Sequence, residues 1–200
     1  MNLEEYRSAF AVTVLGLILV AAFPTVSMVL PFPGGGERFS EFWLLGPEHM
    51  AEGYPFNVKA GEMQGPIYVG VSNHMGSSEY YMVYVKFRNQ TQLLPNATVS
   101  EPSPLLPLYE FQFFLADGET WETLVSFVVE DVVFEGNSSF VTEISINGHV
   151  FPVDVFSSWD SEQNGFYFQL FFELWLYSGD LQGFRFHDRF VGIWLNMTRI

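Results

Sequence analysis

Beyond residue 38 the chain alternates apolar and polar side chains with a period of two, and no stretch there keeps a helical period. Successive side chains of a strand point to opposite faces, so this pattern predicts an all-β domain. We expect strands over the following ranges: Phe39–Leu45, Pro66–Asn73, Glu79–Phe87, Leu108–Leu115, Thr120–Phe134, Phe140–Ile146, His149–Phe156, Phe166–Tyr177 and Arg189–Met197.

Turn residues separate these strands. Asn147-Gly148 is a strong hairpin signal because a type I′ turn needs positive φ at both central residues, and Asp117-Gly118 offers a second hairpin. Short antiparallel strands joined in this way predict an immunoglobulin-like antiparallel β-sandwich over residues 39–200. The chain has no cysteine, which excludes disulfides, thiol catalysis and cysteine-ligated zinc.

The strand predicted over Phe166–Tyr177 is apolar on both faces. One face, which we assign to the core, carries Phe166, Phe168, Leu170, Phe172, Leu174 and Leu176. The other carries Tyr167, Gln169, Phe171, Glu173, Trp175 and Tyr177. Large exposed apolar patches mark contacts, so we expect cover for the second face from the long loop Asn89–Pro107, a neighbouring subunit or another protein.

An uncharged, apolar stretch runs from Ala9 to Leu30. As a helix it reaches about 33 Å, enough for the hydrocarbon layer, so we predict a signal-anchor transmembrane helix over residues 9–30 that contacts membrane lipid. Residues 1–8 form a tail before it, and the Pro/Gly-rich residues 31–38 form a hinge after it. A signal peptide cleaved after Ala22 is the alternative.

The formal net charge of -15 argues against nucleic acid or an anionic lipid surface as partner, since both bind cationic surfaces. N-x-[ST] sequons indicate an exported chain, and the missing cysteines suit an archaeal or prokaryotic surface. We therefore predict a single-pass protein of the cell membrane with most of the chain outside the cell. N-linked glycans are predicted at Asn89, Asn96, Asn137 and Asn196.

Asp160, Glu162 and Asn164 lie at alternate positions before Gly165, as oxygen ligands do in a calcium loop. Two positions depart from that pattern, because Glu162 replaces Asp or Asn and Phe171 replaces the closing Glu. An ordinary polar turn is the alternative. The histidines are scattered, and His187 and Asp188 point to opposite faces of a regular strand. We predict no catalytic residue and no cofactor.

Four segments follow one another early in the domain: Phe42–Pro47, Ala51–Glu52, Tyr54–Pro55 and Val69–His74. They resemble the opening of the archaeal family known as domain of unknown function 1616. Phe168–Leu176 and Phe190–Leu195 are similar to the closing strands of that family. The resemblance covers Phe39–Met197 and implies an envelope-facing sandwich, often attached to the membrane, with no assigned activity.

The sequence thus favours a non-enzymatic interaction or structural module of the archaeal cell envelope, held by one membrane helix and bound to another envelope or membrane protein. Edge strands and the aromatic face are the expected contact surfaces. A pilin-like filament subunit, with an apolar N-terminal helix and a β head, is the first alternative. A carbohydrate- or metal-handling enzyme is the second, and it requires a pocket with convergent polar groups.

Overall fold

The computed structural model describes residues 6–7, 10–18, 20 and 37–198. Contacts divide the chain into two units, Met1–Arg38 and Phe39–Ile200. In the first unit the described residues up to residue 20 are helical, and no helix among the described residues is long and apolar enough to cross a membrane. Much of the predicted membrane helix over 9–30 and of the hinge over 31–38 lies outside the described residues, and both stay predictions.

The second unit is built from strands, as the alternation predicts. Within its described residues the strands are β1 (Phe39–Leu45), β2 (Asn57–Val58), β3 (Ile67–His74), β4 (Glu79–Asn89), β5 (Tyr109–Leu115), β6 (Thr120–Val125), β7 (Phe127–Glu135), β8 (Ser138–Ile146), β9 (His149–Ser158), β10 (Phe166–Ser178) and β11 (Gly183–Met197).

The strands form three sheets. Sheet A has the order β1-β3-β6, sheet B the order β2-β11-β10-β4-β5, and sheet C the order β7-β8-β9. Strand pairs are antiparallel except that β2 runs parallel to β11. One apolar core joins buried side chains from all three sheets, which makes the domain an all-β, sandwich-like fold; its members include Leu44, Val69, Val83, Val125, Ile144 and Leu170.

One predicted strand is in fact two. Thr120–Phe134 breaks at Ser126, where the chain passes from sheet A to sheet C. The side chain of Asn147 accepts a hydrogen bond from the Ser126 backbone N–H at 3.0 Å, and the Asn147 N–H donates to the Ser126 carbonyl at 2.9 Å. The predicted Asn147-Gly148 hairpin therefore also holds the crossing point between the sheets.

The last strand begins earlier than predicted. β11 starts at Gly183 rather than Arg189, because the polar residues His187 and Asp188 at a bulge break the apolar pattern before Arg189. Leu174 pairs with Arg189 whereas the next residue of β10 pairs with Phe186, so His187 and Asp188 are extra residues in β11. Asp188 has a φ of 54°, which absorbs the change in direction.

Pairing also defines the two ends of the sandwich. The β10–β11 turn and the start of β1 lie at one end, since Ser40 Oγ lies 2.8 Å from the hydroxyl of Tyr81, which pairs with Leu176 near the end of β10. The first residues of β10 and the last of β11 lie at the other end. The face of sheet B that points away from the core is called the outward face below.

Candidate functional site

Four aromatic rings lie side by side on the outward face of sheet B, and we call them the aromatic ladder: Phe114, Tyr80, Tyr177 and Phe184. Tyr80 stacks on Phe114 with ring centroids 4.1 Å apart. Phe184 lies 4.9 Å from Tyr80 and 5.6 Å from Tyr177. Phe114 is 72% exposed and Tyr177 is 41% exposed, so the ladder is an accessible apolar surface of the kind that marks contacts.

The register of four strands builds this ladder. Tyr80 of β4 pairs with Phe114 of β5, and Tyr177 of β10 pairs with Phe184 of β11. β10 lies between β4 and β11, so the two pairs meet with Tyr177 and Tyr80 rings 6.1 Å apart. Each ring comes from an alternating strand, but only the pairing of four strands aligns them.

The middle of the outward face is covered by residues 90–108, the segment between β4 and β5. Buried Ser103 of this segment donates its backbone N–H to Glu173 Oε1 at 2.9 Å, and its carbonyl accepts a hydrogen bond from Lys86 Nζ at 2.9 Å. The sequence left three candidates to cover this face: the loop, a neighbouring subunit or another protein. The loop is therefore confirmed for the middle of the face. The ladder end of the same face is not hidden by it, since Phe114 and Tyr177 are exposed.

A buried ion pair lies beneath the loop. Lys86 Nζ and Glu173 Oε2 are 2.8 Å apart, and their side chains are 3% and 0% exposed. Trp175 Nε1 donates to the same oxygen of Glu173 at 3.0 Å. With Ser103, these contacts satisfy both charges, which is the condition under which a buried ion pair is tolerated.

The predicted calcium ligands form a closed polar turn. Asp160 Oδ1 accepts hydrogen bonds from the backbone N–H groups of Glu162 (2.9 Å) and Gln163 (3.0 Å), and Oδ2 accepts one from Gln90 Nε2 (3.2 Å). These bonds, with that of Gln163 first, lower the pKa of Asp160. Glu162 and Asn164 are exposed. No group of three or more acidic, histidine or cysteine side chains in the described part of the chain could hold a metal. Calcium binding stays an untested prediction.

The predicted glycosylation sites differ in accessibility. Asn96 and Asn137 are exposed. Asn89 is buried, and its Nδ2 donates to a carbonyl of β9 at 2.7 Å. Asn196 donates from Nδ2 to Asn57 Oδ1 at 3.1 Å. The side-chain nitrogen that would carry a glycan is thus already hydrogen-bonded at Asn89 and at Asn196.

A polar chain runs inward from the bulge in β11. His187 Nε2 and Ser40 Oγ are 3.0 Å apart, Ser40 Oγ and the Tyr81 hydroxyl are 2.8 Å apart, and that hydroxyl donates to Asn73 Oδ1 at 3.0 Å. Burial, followed by the charges of two arginines of β11, lowers the pKa of His187. Ser40 is buried, so this series of hydrogen bonds links sheets A and B and presents no serine nucleophile to solvent.

The segments that carry the family resemblance shape strands and turns. A side chain at Gly46 would overlap the carbonyl oxygen of Glu52, and one at Gly70 would overlap the indole of Trp43. Buried Asn73 makes four side-chain hydrogen bonds that fix the β3–β4 turn and hold the end of β5. The close packing of neighbouring atoms explains the glycines at positions 46 and 70, and the β3–β4 turn explains Asn73.

The fold and its surfaces define a sandwich-like all-β domain with an exposed aromatic face and a loop-covered ion pair. The chain belongs to the family described as Domain of unknown function (DUF1616), whose sequence model matches residues 33–136. This confirms the family that the sequence resembles. The match contains β1 to β7 and ends before β10, so the resemblance of the closing strands stays a prediction, as does an archaeal origin.

No curated protein matches the chain in sequence. Among solved structures, it is similar to a β-glucosidase from Listeria innocua in complex with gluconolactone, at 12% identity and a TM-score of 0.34, covering 82% of this chain and 17% of that chain. A second structure of the Listeria innocua β-glucosidase, with glucose, has 16% identity and a TM-score of 0.26, covering 58% of this chain and 16% of that chain. The chain therefore spans less than a fifth of these enzymes, and such TM-scores establish neither a shared fold nor a shared function.

Proposed function

We propose that this protein is a non-enzymatic, single-pass membrane protein whose immunoglobulin-like β-sandwich lies outside the cell and binds another envelope or membrane protein through the aromatic ladder. The observation that carries the proposal is the contiguity of four rings on one sheet, of which Phe114 and Tyr177 are exposed and Tyr80 and Phe184 are half-buried. Aromatic side chains supply large contact area at low entropic cost, and they dominate the energetic centres of protein interfaces.

Three further features support the proposal. The uncharged stretch Ala9–Leu30 supports attachment to the membrane. The sequons support a position outside the cell. The register of the sheet holds the ladder rings in place before any partner arrives, so little ordering entropy is lost on binding.

Charge indicates the chemistry of the partner. The chain carries a formal net charge of -15, which opposes face-to-face association of two copies. Near the ladder, Glu79 precedes Tyr80, Asp117 follows β5 and Asp180 lies in the β10–β11 turn. We therefore expect a partner with an apolar centre and a basic rim, because such a surface complements the ladder and its surroundings.

Photo-crosslinking in native membranes tests this proposal. A benzophenone amino acid placed at Phe114 of the full chain should give one discrete adduct with another envelope protein. The matched control replaces Val150, a 56% exposed residue of β9 in sheet C, and should not give that adduct. The partner identified in this way is then purified and titrated with the full chain, where Phe114→Ser should weaken binding about tenfold or more and added salt should also weaken it.

Each other outcome counts against the proposal. Recovery of uncrosslinked monomer alone, or the same adducts from both positions, removes the ladder as a specific contact. An adduct with a second copy of the chain would instead favour the pilin-like filament subunit, and electron microscopy of sheared cell surfaces would then show filaments.

A further inference from the structure

A cleft opens beside Trp194 at the end of the sandwich opposite the ladder. Its volume is about 350 Å³, and it is lined by Phe56, Gln90, Gln163, Tyr167 and Trp194. A second cleft of about 540 Å³ lies beside it and shares Phe56 and Trp194 with the first. Both volumes lie in the range of small-molecule sites in proteins.

Aromatic rings form the walls of this cleft, and the sheet holds them. Trp194 is 39% exposed and Phe56 is 47% exposed. The guanidinium of buried Arg88 lies 5.4 Å from the centroid of the Trp194 ring, and Arg88 Nε donates to Gln169 Oε1 at 2.9 Å. Trp194 is therefore supported on one side by a fixed cation, a favourable cation–π arrangement.

Two carboxamides border the rings. Gln90 Nε2 donates to Asp160 Oδ2 at 3.2 Å, which leaves the Gln90 oxygen to accept from a ligand. Gln163 is exposed, and none of the hydrogen bonds recorded for the described residues uses its carboxamide. The backbone of Gln163 is nevertheless held in place, because the Tyr167 hydroxyl donates to the Gln163 carbonyl at 2.7 Å. A carboxamide both donates and accepts, which matches the two roles of a hydroxyl group.

The lining of the cleft selects among ligand classes. None of the five lining side chains carries a charge. The cation of Arg88 is buried, and the carboxylate of Asp160 is already hydrogen-bonded, so neither favours a charged ligand. A purely apolar ligand would leave the carboxamides without partners and lose the free energy of their hydrogen bonds with water. The remaining class is a neutral molecule with a flat apolar face and a hydroxyl-bearing edge.

We infer that this cleft is a binding site for a neutral saccharide. A hexopyranose ring places its C–H face on Trp194 and directs its hydroxyl groups to Gln90 and Gln163. The adjoining cleft between Phe56 and Trp194 accommodates a neighbouring sugar unit. This inference does not rest on the proposed protein contact, because the cleft and the ladder share no residue.

Calorimetric titration of the full chain tests the inference. The protein is held in a detergent without a sugar headgroup, since such headgroups would compete for the cleft. The probes are short neutral oligosaccharides of glucose, mannose and N-acetylglucosamine. At least one should bind, and Trp194→Ala should weaken its binding about tenfold or more. Gln163→Ala changes an exposed side chain and should weaken the same binding about fivefold without altering the far-UV circular dichroism spectrum.

The ladder provides the control. Phe114→Ser should leave saccharide binding unchanged, whereas Trp194→Ala should leave the Phe114 crosslink unchanged, so failure of one proposal is separable from failure of the other. The saccharide inference is overturned if no probe binds, or if Trp194→Ala and Gln163→Ala both bind the saccharide with unchanged affinity. It is also overturned if a proline-rich peptide occupies the cleft at a lower concentration than the saccharide needs, and so displaces it.

Discussion

Replacing Glu173 by Gln tests the account of the covered face. The substitution keeps the shape of the side chain but removes the anion that lies 2.8 Å from Lys86 Nζ. The cation then stays in a site where its side chain is 3% exposed, with the carbonyl of Ser103 as hydrogen-bond acceptor and the Tyr84 ring centroid 6.0 Å away. Removing one member of a buried ion pair costs about 3–5 kcal/mol. We expect a loss near the lower value, because the Gln oxygen still accepts one hydrogen bond.

Urea unfolding of the full chain, followed by tryptophan fluorescence, measures this loss. Glu143→Gln is the matched control, since Glu143 is exposed on β8, and it should change the free energy of unfolding by less than about 0.5 kcal/mol. A second variant, Lys86→Met combined with Glu173→Gln, removes both charges. It should recover about half or more of the loss, because a buried charge without a partner is the main cost.

Two results would refute this reasoning. A loss below about 1 kcal/mol for Glu173→Gln would show that the ion pair is not desolvated as its burial indicates. A double variant no more stable than Glu173→Gln would show that the uncompensated cation is not the main cost.

Three other predictions follow from the structure. Gly70→Ala should lower the free energy of unfolding by about 1–3 kcal/mol because the new methyl overlaps the Trp43 ring, whereas Gly179→Ala, which meets open space, should change it little; urea unfolding compares the two. The pKa of His187 is lowered in the folded state, so the unfolded chain binds more protons and stability should fall as pH drops below about 6.5; His187→Gln should flatten this dependence in a pH series of thermal unfolding, and an unchanged slope would exclude His187 as the cause. Peptide mapping of protein from native cells should find glycans at the two exposed asparagines and none at the two whose side-chain nitrogens are hydrogen-bonded: Asn96 and Asn137 against Asn89 and Asn196.

The period-two alternation of side chains predicts most of the strands. The strand boundaries that were predicted wrongly lie where the strands are irregular. The alternation along β10 correctly separates residues of the main core, such as Leu170, from residues outside it, such as Phe171. The pattern continues through Ser126, so it does not reveal that the chain changes sheets there. His187 and Asp188 are two polar extra residues within β11, and the six residues of that strand before Arg189 are missed. β2 is two residues long and too short for any period to register.

The surfaces were harder to predict than the strands. Tyr80 and Phe114 belong to predicted strands, yet their contact depends on a register that one strand does not encode. Lys86 and Glu173 are distant in the chain, and only the pairing of β4 with β10 brings them together. The Trp194 cleft is lined by residues of β10 and β11, of the loops after β4 and β9, and of the segment before β2. The aromatic outward face of β10 was the one sequence signal for these features.

The length of β10 sets the spacing between the two surfaces on sheet B. Tyr177 belongs to the ladder, and Gln169 pairs with Trp194 at the cleft, so the strand separates them by about 25 Å at 3.2–3.4 Å per residue. The loop fastened by Ser103 lies between them. Because both surfaces lie on the same strand, β10 fixes their separation and their relative orientation without any hinge between them.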